Sequence, residues 1–280
     1  MLGEKNTGEC PKKIARFEKY ISPARLNVAL MKTRIRIVRS ACVACAAIIW
    51  TSTTFAQSPN DAVKKQFFDA IKNGNLAQVK QFLRQDSSLA KTSDEKNRTA
   101  ILFAVYAKHK DIAELLIASG VEPNIFEAAA TGRVDRVREL LKQQPELIRA
   151  YSPDGWTALH LNFNDLEMAK LLIDSGADLN VNSKNKLHAT PLQGAAASNW
   201  IELAKLYLSR GANVNCRSEE GGSPLHEAAG NGFIEFARLL IDNGADVNQR
   251  DDNGKTPLTL ALEYKKPEIA KLLQEHGAIQ

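Results

Sequence analysis

The chain has 280 residues, with 37 Lys and Arg against 32 Asp and Glu, for a formal net charge of +5. Hydrophobic residues make up 44% of it, with 16 Gly and 10 Pro, which excludes collagen-like and wholly disordered classes. The charge is uneven: residues 1–56 hold ten basic side chains, from Lys5 to Arg39, against Glu4, Glu9 and Glu18, which leaves 27 basic against 29 acidic beyond them. Phosphate binding needs Lys and Arg on the folded surface, so nucleic acid is not an expected partner.

Residues 1–30 mix Lys and Glu without an apolar face and read as translated upstream sequence or an extension outside the fold. Met31 opens a three-part export signal. Lys32, Arg34, Arg36 and Arg39 form the basic region, Ala41–Trp50 the apolar one, and Thr54 and Ala56 stand at −3 and −1 of a cut before Gln57. The apolar part is about ten residues, short of the roughly 20 that span a bilayer. The expectation is therefore export, to a bacterial periplasm. The alternative is an uncleaved 41–56 segment that anchors the chain in the inner membrane with the body outside the cytoplasm. Cys10, Cys42 and Cys45 all belong to this leader. The body keeps only Cys216, which excludes an internal disulfide and cysteine-based zinc sites there and suits a small packing position.

Beyond the leader the chain repeats. Thr157-Ala-Leu-His160, Thr190-Pro-Leu, Ser223-Pro-Leu-His226 and Thr256-Pro-Leu follow one another at 33-residue intervals. A glycine stands 21 residues after the hydroxyl residue, as Gly120 after Thr99, Gly211 after Thr190, Gly244 after Ser223 and Gly277 after Thr256, and Ala-Asp/Asn-hydrophobic-Asn often follows such a glycine. Thr or Ser before Pro is an N-cap with proline at the first helical position, where its missing N–H costs nothing. A first helix of about eight residues is predicted from there. In the Ser223 unit it breaks at Asn231-Gly232, and a second helix runs over Ile234–Asn243 until Gly244 ends it in a left-handed conformation. Helices this short need a neighbour to pack on. Gly155, Gly221 and Gly254 mark a projecting turn two residues before the cap, where Asn97 and His188 also tolerate positive φ.

Asp154-Gly-x-Thr-Ala-Leu-His160, Ser223-Pro-Leu-His-Glu-Ala-Ala-Gly-Asn-Gly232 and Asn243-Gly-Ala-Asp-Val-Asn248 resemble ankyrin repeats. The resemblance spans residues 62–280 within a 57–280 domain, with degenerate units over 62–152 and regular ones over 153–280. It implies an all-α ankyrin-repeat solenoid of about seven helix pairs, each pair with a β-hairpin-like finger. The units at Phe67–Leu83 and Phe126–Leu141 lack the Thr-Pro-Leu-His opening. The Gly120–Ile125 connection is too short for a finger, which predicts an interrupted concave face. Leu171-Leu172 arrive two residues early, which predicts a shortened turn near Asn162–Asp165.

Catalytic motifs are absent: no nucleophile elbow, P-loop, His-Glu-x-x-His or dinucleotide fingerprint occurs. Asp251–Gly254 fails as a calcium loop because its first and twelfth ligand places are Gln249 and Leu260. His160 and His226 recur three residues after a cap, which predicts an imidazole tying the cap turn to its neighbour rather than a unique catalytic base. His109, His188 and His276 have no second ligand or nucleophile at a recognisable spacing. The reading is a non-enzyme without cofactor or metal. The resemblance implies an unidentified protein partner bound to finger tips and the exposed side of first helices by a monomeric scaffold of the cell envelope; the alternative is an accessory subunit or inhibitor of an exported enzyme. Residues that the scaffold does not demand are the candidate contacts: Trp156, Lys186, Leu187, Glu219, Glu220, Asn231, Asp252, Lys255 and Tyr264.

Overall fold

The computed structural model describes residues 59–279, so the extension and the leader lie outside the described residues. Thirteen α-helices occur among them. Six pairs are α1 (Pro59–Lys72) with α2 (Leu76–Gln85), α3 (Ala100–Tyr106) with α4 (Lys110–Ala118), α5 (Ile125–Ala130) with α6 (Val134–Gln143), α8 (Pro191–Ala197) with α9 (Ile201–Ser209), α10 (Pro224–Asn231) with α11 (Ile234–Asp242), and α12 (Pro257–Glu263) with α13 (Pro267–Glu275). The fourth unit has one α-helix, α7 (Leu166–Asp174). First helices pack on first helices and second on second, which makes a solenoid.

Caps start the first helices as their sequence requires. Thr99, Thr190, Ser223 and Thr256 accept the N–H three residues on, and Gln193, His226 and Thr259 return a side-chain bond to the cap backbone. Asn124 and Glu127 do the same for α5. Gly244 has φ 86°, and Asn97 and His188 have φ 59° and 44°, as predicted.

The expected seventh pair is not formed. After Thr157 the chain makes a single turn, with Leu161 N–H donating to Thr157 O (3.2 Å), and Asn164 at φ 61° leads directly into α7. The 33-residue spacing from Thr157 to Thr190 conceals two changes that cancel. Thr157 to Gly176 is 19 residues where Ser223 to Gly244 is 21, and Gly176 to Thr190 is 14 where Gly244 to Thr256 is 12. The lost pair of residues removes the helix, and the gained pair lengthens the finger that follows. Tyr207 on α9, in register with Leu240 and Leu273, is buried and turns its hydroxyl toward the buried Asn162 amide in the space this leaves.

The degenerate units share a pattern of their own. Phe67 and Ile125, Gly74 and Gly132, Leu89 and Leu147, and Thr99 and Thr157 each stand 58 residues apart. In both copies a short 3-10 helix, Ser87–Lys91 or Pro145–Arg149, replaces the glycine-led exit from the second helix.

Side chains also tie successive units. His160 Nδ1 lies 2.8 Å from the Thr157 hydroxyl and Nε2 lies 2.8 Å from Ala189 O. His226 repeats this with Ser223 (2.8 Å) and Lys255 O (3.0 Å). Gln193 takes the Thr190 N–H on Oε1 and donates from Nε2 to Gly222 O (2.8 Å). Each side chain thus completes its own cap and holds the next finger. A second ladder uses Asn180, Asn215 and Asn248, whose amides donate to Gly211 O, Gly244 O and Gly277 O.

Two predictions follow from these contacts. A Cβ on Gly155 would stand 2.7 Å from Asn185 N and 2.8 Å from Lys184 C, at φ 85°, whereas one on Gly244 would meet nothing within 4 Å at φ 86°. Gly244→Ala should therefore cost about 1–2 kcal/mol from positive φ alone, and Gly155→Ala should lower Tm clearly further. Equal losses in thermal melts would mean that the fingers do not approach as described.

The second concerns pH. Burial lowers the His160 pKa from 6.5 to about 4, and burial also lowers that of His226. Above pH 6.5 both are neutral whether folded or not. As pH falls from there toward 4 the unfolded chain takes up protons that the folded chain refuses, so stability falls through that window, by about 3 kcal/mol for His160. The double variant His160→Gln and His226→Gln should stay folded at neutral pH, as Gln193 shows the amide can serve, and should lose less Tm between pH 7 and pH 5. An unchanged pH dependence would refute this role.

Candidate protein-binding ridge

Each finger is a tight turn closed at its base. Asp94, Ser152, Ser218 and Asp251 donate their N–H groups to Arg98, Trp156, Gly222 and Lys255 carbonyls, and the fourth residue of each has positive φ. The expected hairpin character reduces to one isolated bridge, Ser93 with Thr99, among the described residues. Five-residue closures leave no room for a strand ladder. The finger at 183–189 is longer, with Ser183 N–H reaching Ala189 O (2.9 Å) and Asn185 Oδ1 accepting the Leu187 N–H.

Backbone bonds join neighbouring fingers into a ridge. Lys184 N–H donates to Gly155 O (2.8 Å), Glu219 N–H to Leu187 O (3.1 Å), and Asp252 N–H to Glu220 O (3.1 Å). The donor is always the second finger residue. In the finger at 152–156 that place holds Pro153, which has no N–H, on the side facing the short Gly120–Ile125 connection. No donor is therefore left without an acceptor at that edge. The interruption read from the sequence is present.

Seven of the nine candidate residues lie on this ridge. Trp156 is half-buried, with its indole against the His160 ring (centroids 5.4 Å apart). Lys186 is exposed, and Leu187 beside it is half-buried. Glu219 lies 3.5 Å from His188 Nδ1, Asp252 takes an ion pair from Arg217 (2.8 Å), and Lys255 donates to Glu263 (2.6 Å), a bond that raises the lysine pKa. Glu220 is exposed, and its carbonyl serves the inter-finger bond.

The other two are elsewhere. Asn231 and Tyr264 sit at the C-terminal ends of α10 and α12, a helix length of about 12 Å from the fingers. Asn231 donates to Glu227 O within its own helix, whereas Tyr264 is 38% exposed. The nine residues do not form one patch. Sequence reasoning also passed over Lys184, whose ammonium stands 4.0 Å from the Tyr151 ring centroid at the base of the long finger. At the helix-turn edge it passed over Phe163, 43% exposed and edge-on to Trp200. Spacing alone carried no signal for the first; the second follows from the shortened fourth unit.

The titratable groups serve structure. His160 and His226 accept on Nδ1 and donate from Nε2, which is the neutral tautomer. Cys216 is buried against the Thr190 hydroxyl (3.1 Å), and burial pushes its thiol up to about 11, away from nucleophilic character. Burial likewise raises the Glu127 carboxyl, which bonds Thr99 and the Asn124 N–H. Burial and the neighbouring Asp154 carboxylate raise the Tyr106 hydroxyl. Among the described residues no group of three or more His, Cys, Asp or Glu could hold a metal ion.

Comparison with known proteins bears on the whole array. The family model for ankyrin repeats (3 copies) matches residues 192–280, and that for a single ankyrin repeat matches 96–127 and 154–186. Alpha-latrocrustotoxin-Lt1a of Latrodectus tredecimguttatus is 29% identical over 140 residues, 46% of this chain and 9% of the toxin. Alpha-latroinsectotoxin-Lt1a of the same organism is 32% identical over 126 residues, 41% and 9% of the two chains. A fowlpox virus (strain NVSL) protein named for ankyrin repeats is 27% identical over 151 residues, 50% and 19%. The chain thus spans less than a fifth of each of these relatives. The segments matched by the family models together cover more than half of the chain, so the chain belongs to the ankyrin repeat family.

Proposed function

We propose that this protein is an exported, non-catalytic scaffold of the bacterial cell envelope that binds a partner protein through the finger ridge. Ankyrin repeats generally mediate protein–protein interaction and are typically non-catalytic. The observation that carries the reading here is the ridge itself. Its fingers are held by backbone bonds and cap ties, so most of its side chains are not needed for the stack. Trp156 ends the finger at 152–156, and Lys186 and Leu187 lie on the long finger joined to it through Lys184 N–H and Gly155 O, which sets an aromatic and an aliphatic anchor and a charge on neighbouring fingers. Such a set suits a protein interface, where a few anchors carry most of the energy. Tyr264, away from the ridge, belongs to a secondary contact in this reading.

Export rests on the leader. The basic region at 32–39, the short apolar run and the small residues Thr54 and Ala56 support cleavage before Gln57. Intact mass of the exported protein should begin at Gln57; a mature N-terminus at Met31 or Met1 would favour the anchored form.

For the ridge, Trp156→Ala with Leu187→Ala should weaken binding of the captured partner by about 2 kcal/mol or more while the helical signal and Tm stay nearly unchanged. Adding Tyr264→Ala should have a smaller effect. Charge reversals at Lys205, Arg238 and Lys271, exposed on the second helices, should be tolerated. A partner that ignores the ridge variants and is lost with these reversals would move the interface to the convex face.

A further inference from the structure

We infer that the array is two cooperative blocks, residues 59–121 and 122–279, joined by a polar hinge at Gly120–Asn124, so that the N-terminal block opens and closes independently of the block bearing the ridge. Three features carry this. First, the buried apolar residues form two clusters rather than one. Phe67, Ile71, Val79, Ile101, Ile112 and Leu116 belong to the first, and Ile125 begins the second, which continues without a break to Ala278. Apolar contact between neighbours is what couples repeats. Second, the ties that reinforce the later units are missing at this boundary. No finger lies between Gly120 and Ile125, and among the described residues the finger at 94–98 makes no backbone bond to another finger.

Third, the contacts that do cross are largely polar. Thr99 bonds Glu127 and Arg133 pairs with Glu114, while Arg136 fastens the hinge segment to the second block through Glu122 (3.0 Å) and Pro123 O (3.2 Å). α3 and α5 still lie side by side, but a cleft of about 500 Å³ opens next to them, lined by Lys91, Thr99, Val121, Glu122, Asn124 and Glu127 among others. Partly exposed ion pairs contribute little to coupling, so this is the weakest interface of the stack. A ligand that touches both blocks would hold the hinge closed, whereas one confined to the ridge would leave it free.

Hydrogen exchange read by mass spectrometry on the full chain tests the inference. Val137 and Ile112 are both fully buried, one on each side of the boundary. Val137→Ala should reduce protection of α5, α6 and α7 by about tenfold or more and change α3 and α4 by less than about twofold. Ile112→Ala should do the reverse. An array coupled evenly would pass the Val137→Ala effect to α4 as strongly as to α7, and that result would overturn the hinge. If either variant fails to fold, the unmodified chain in a urea series decides. Two groups of amides divided near residue 121, each with its own urea dependence, support the inference; a single shared dependence rejects it.

Discussion

The structure depends on one side chain per regular unit doing two jobs at the start of the first helix. Beyond α1, first helices here are six to eight residues long, below the length at which a helix holds by itself in water. Their opening N–H groups need acceptors, and the cap residue with its partner three positions on supplies them. In His160, Gln193 and His226 the far end of that same side chain donates to a carbonyl of the next finger. A cap is therefore complete only when the neighbouring unit is in place. Local and long-range order are formed by the same bonds, which is why the regular part of the array behaves as one core.

Where this device is absent the stack changes character. Leu102 stands where a regular unit has His or Gln and has no polar atom to offer, so Thr99 is instead met from the following unit by Glu127. Burying that carboxyl raises its pKa, which marks the contact as less favourable than an amide or neutral imidazole in the same place. The fourth unit then gives up its first helix, and Tyr207 and Asn162 fill the space. The two irregularities are adjacent, and they set the long finger and its aromatic surroundings at the start of the regular repeats.

On the ridge, the same economy separates scaffold from surface. Glu219, Asp252 and Lys255 are already engaged with His188, Arg217 and Glu263, so a partner would have to replace those pairs to use them. Trp156, Lys186 and Leu187 require no such exchange. Specificity through a small set of anchors, with the surrounding charges setting register, is consistent with how protein interfaces distribute their energy.

The sequence by itself determined what short-range chemistry controls: hydroxyl caps before proline, glycines at positive φ after second helices, histidines that tie cap turns, and the loss of a finger between Gly120 and Ile125. Each needs only a few residues in fixed order, so residue type and spacing suffice. Tertiary structure decided the rest. The interval from Thr157 to Thr190 equals a full repeat, yet it contains a deletion and an insertion that cancel, because a count of residues does not say whether they wind into a helix or extend a finger. The role of Pro153 and the division of the core at residue 121 likewise depend on which groups from different units come within bonding distance. Those pairings join residues roughly a repeat apart, and packing alone selects them.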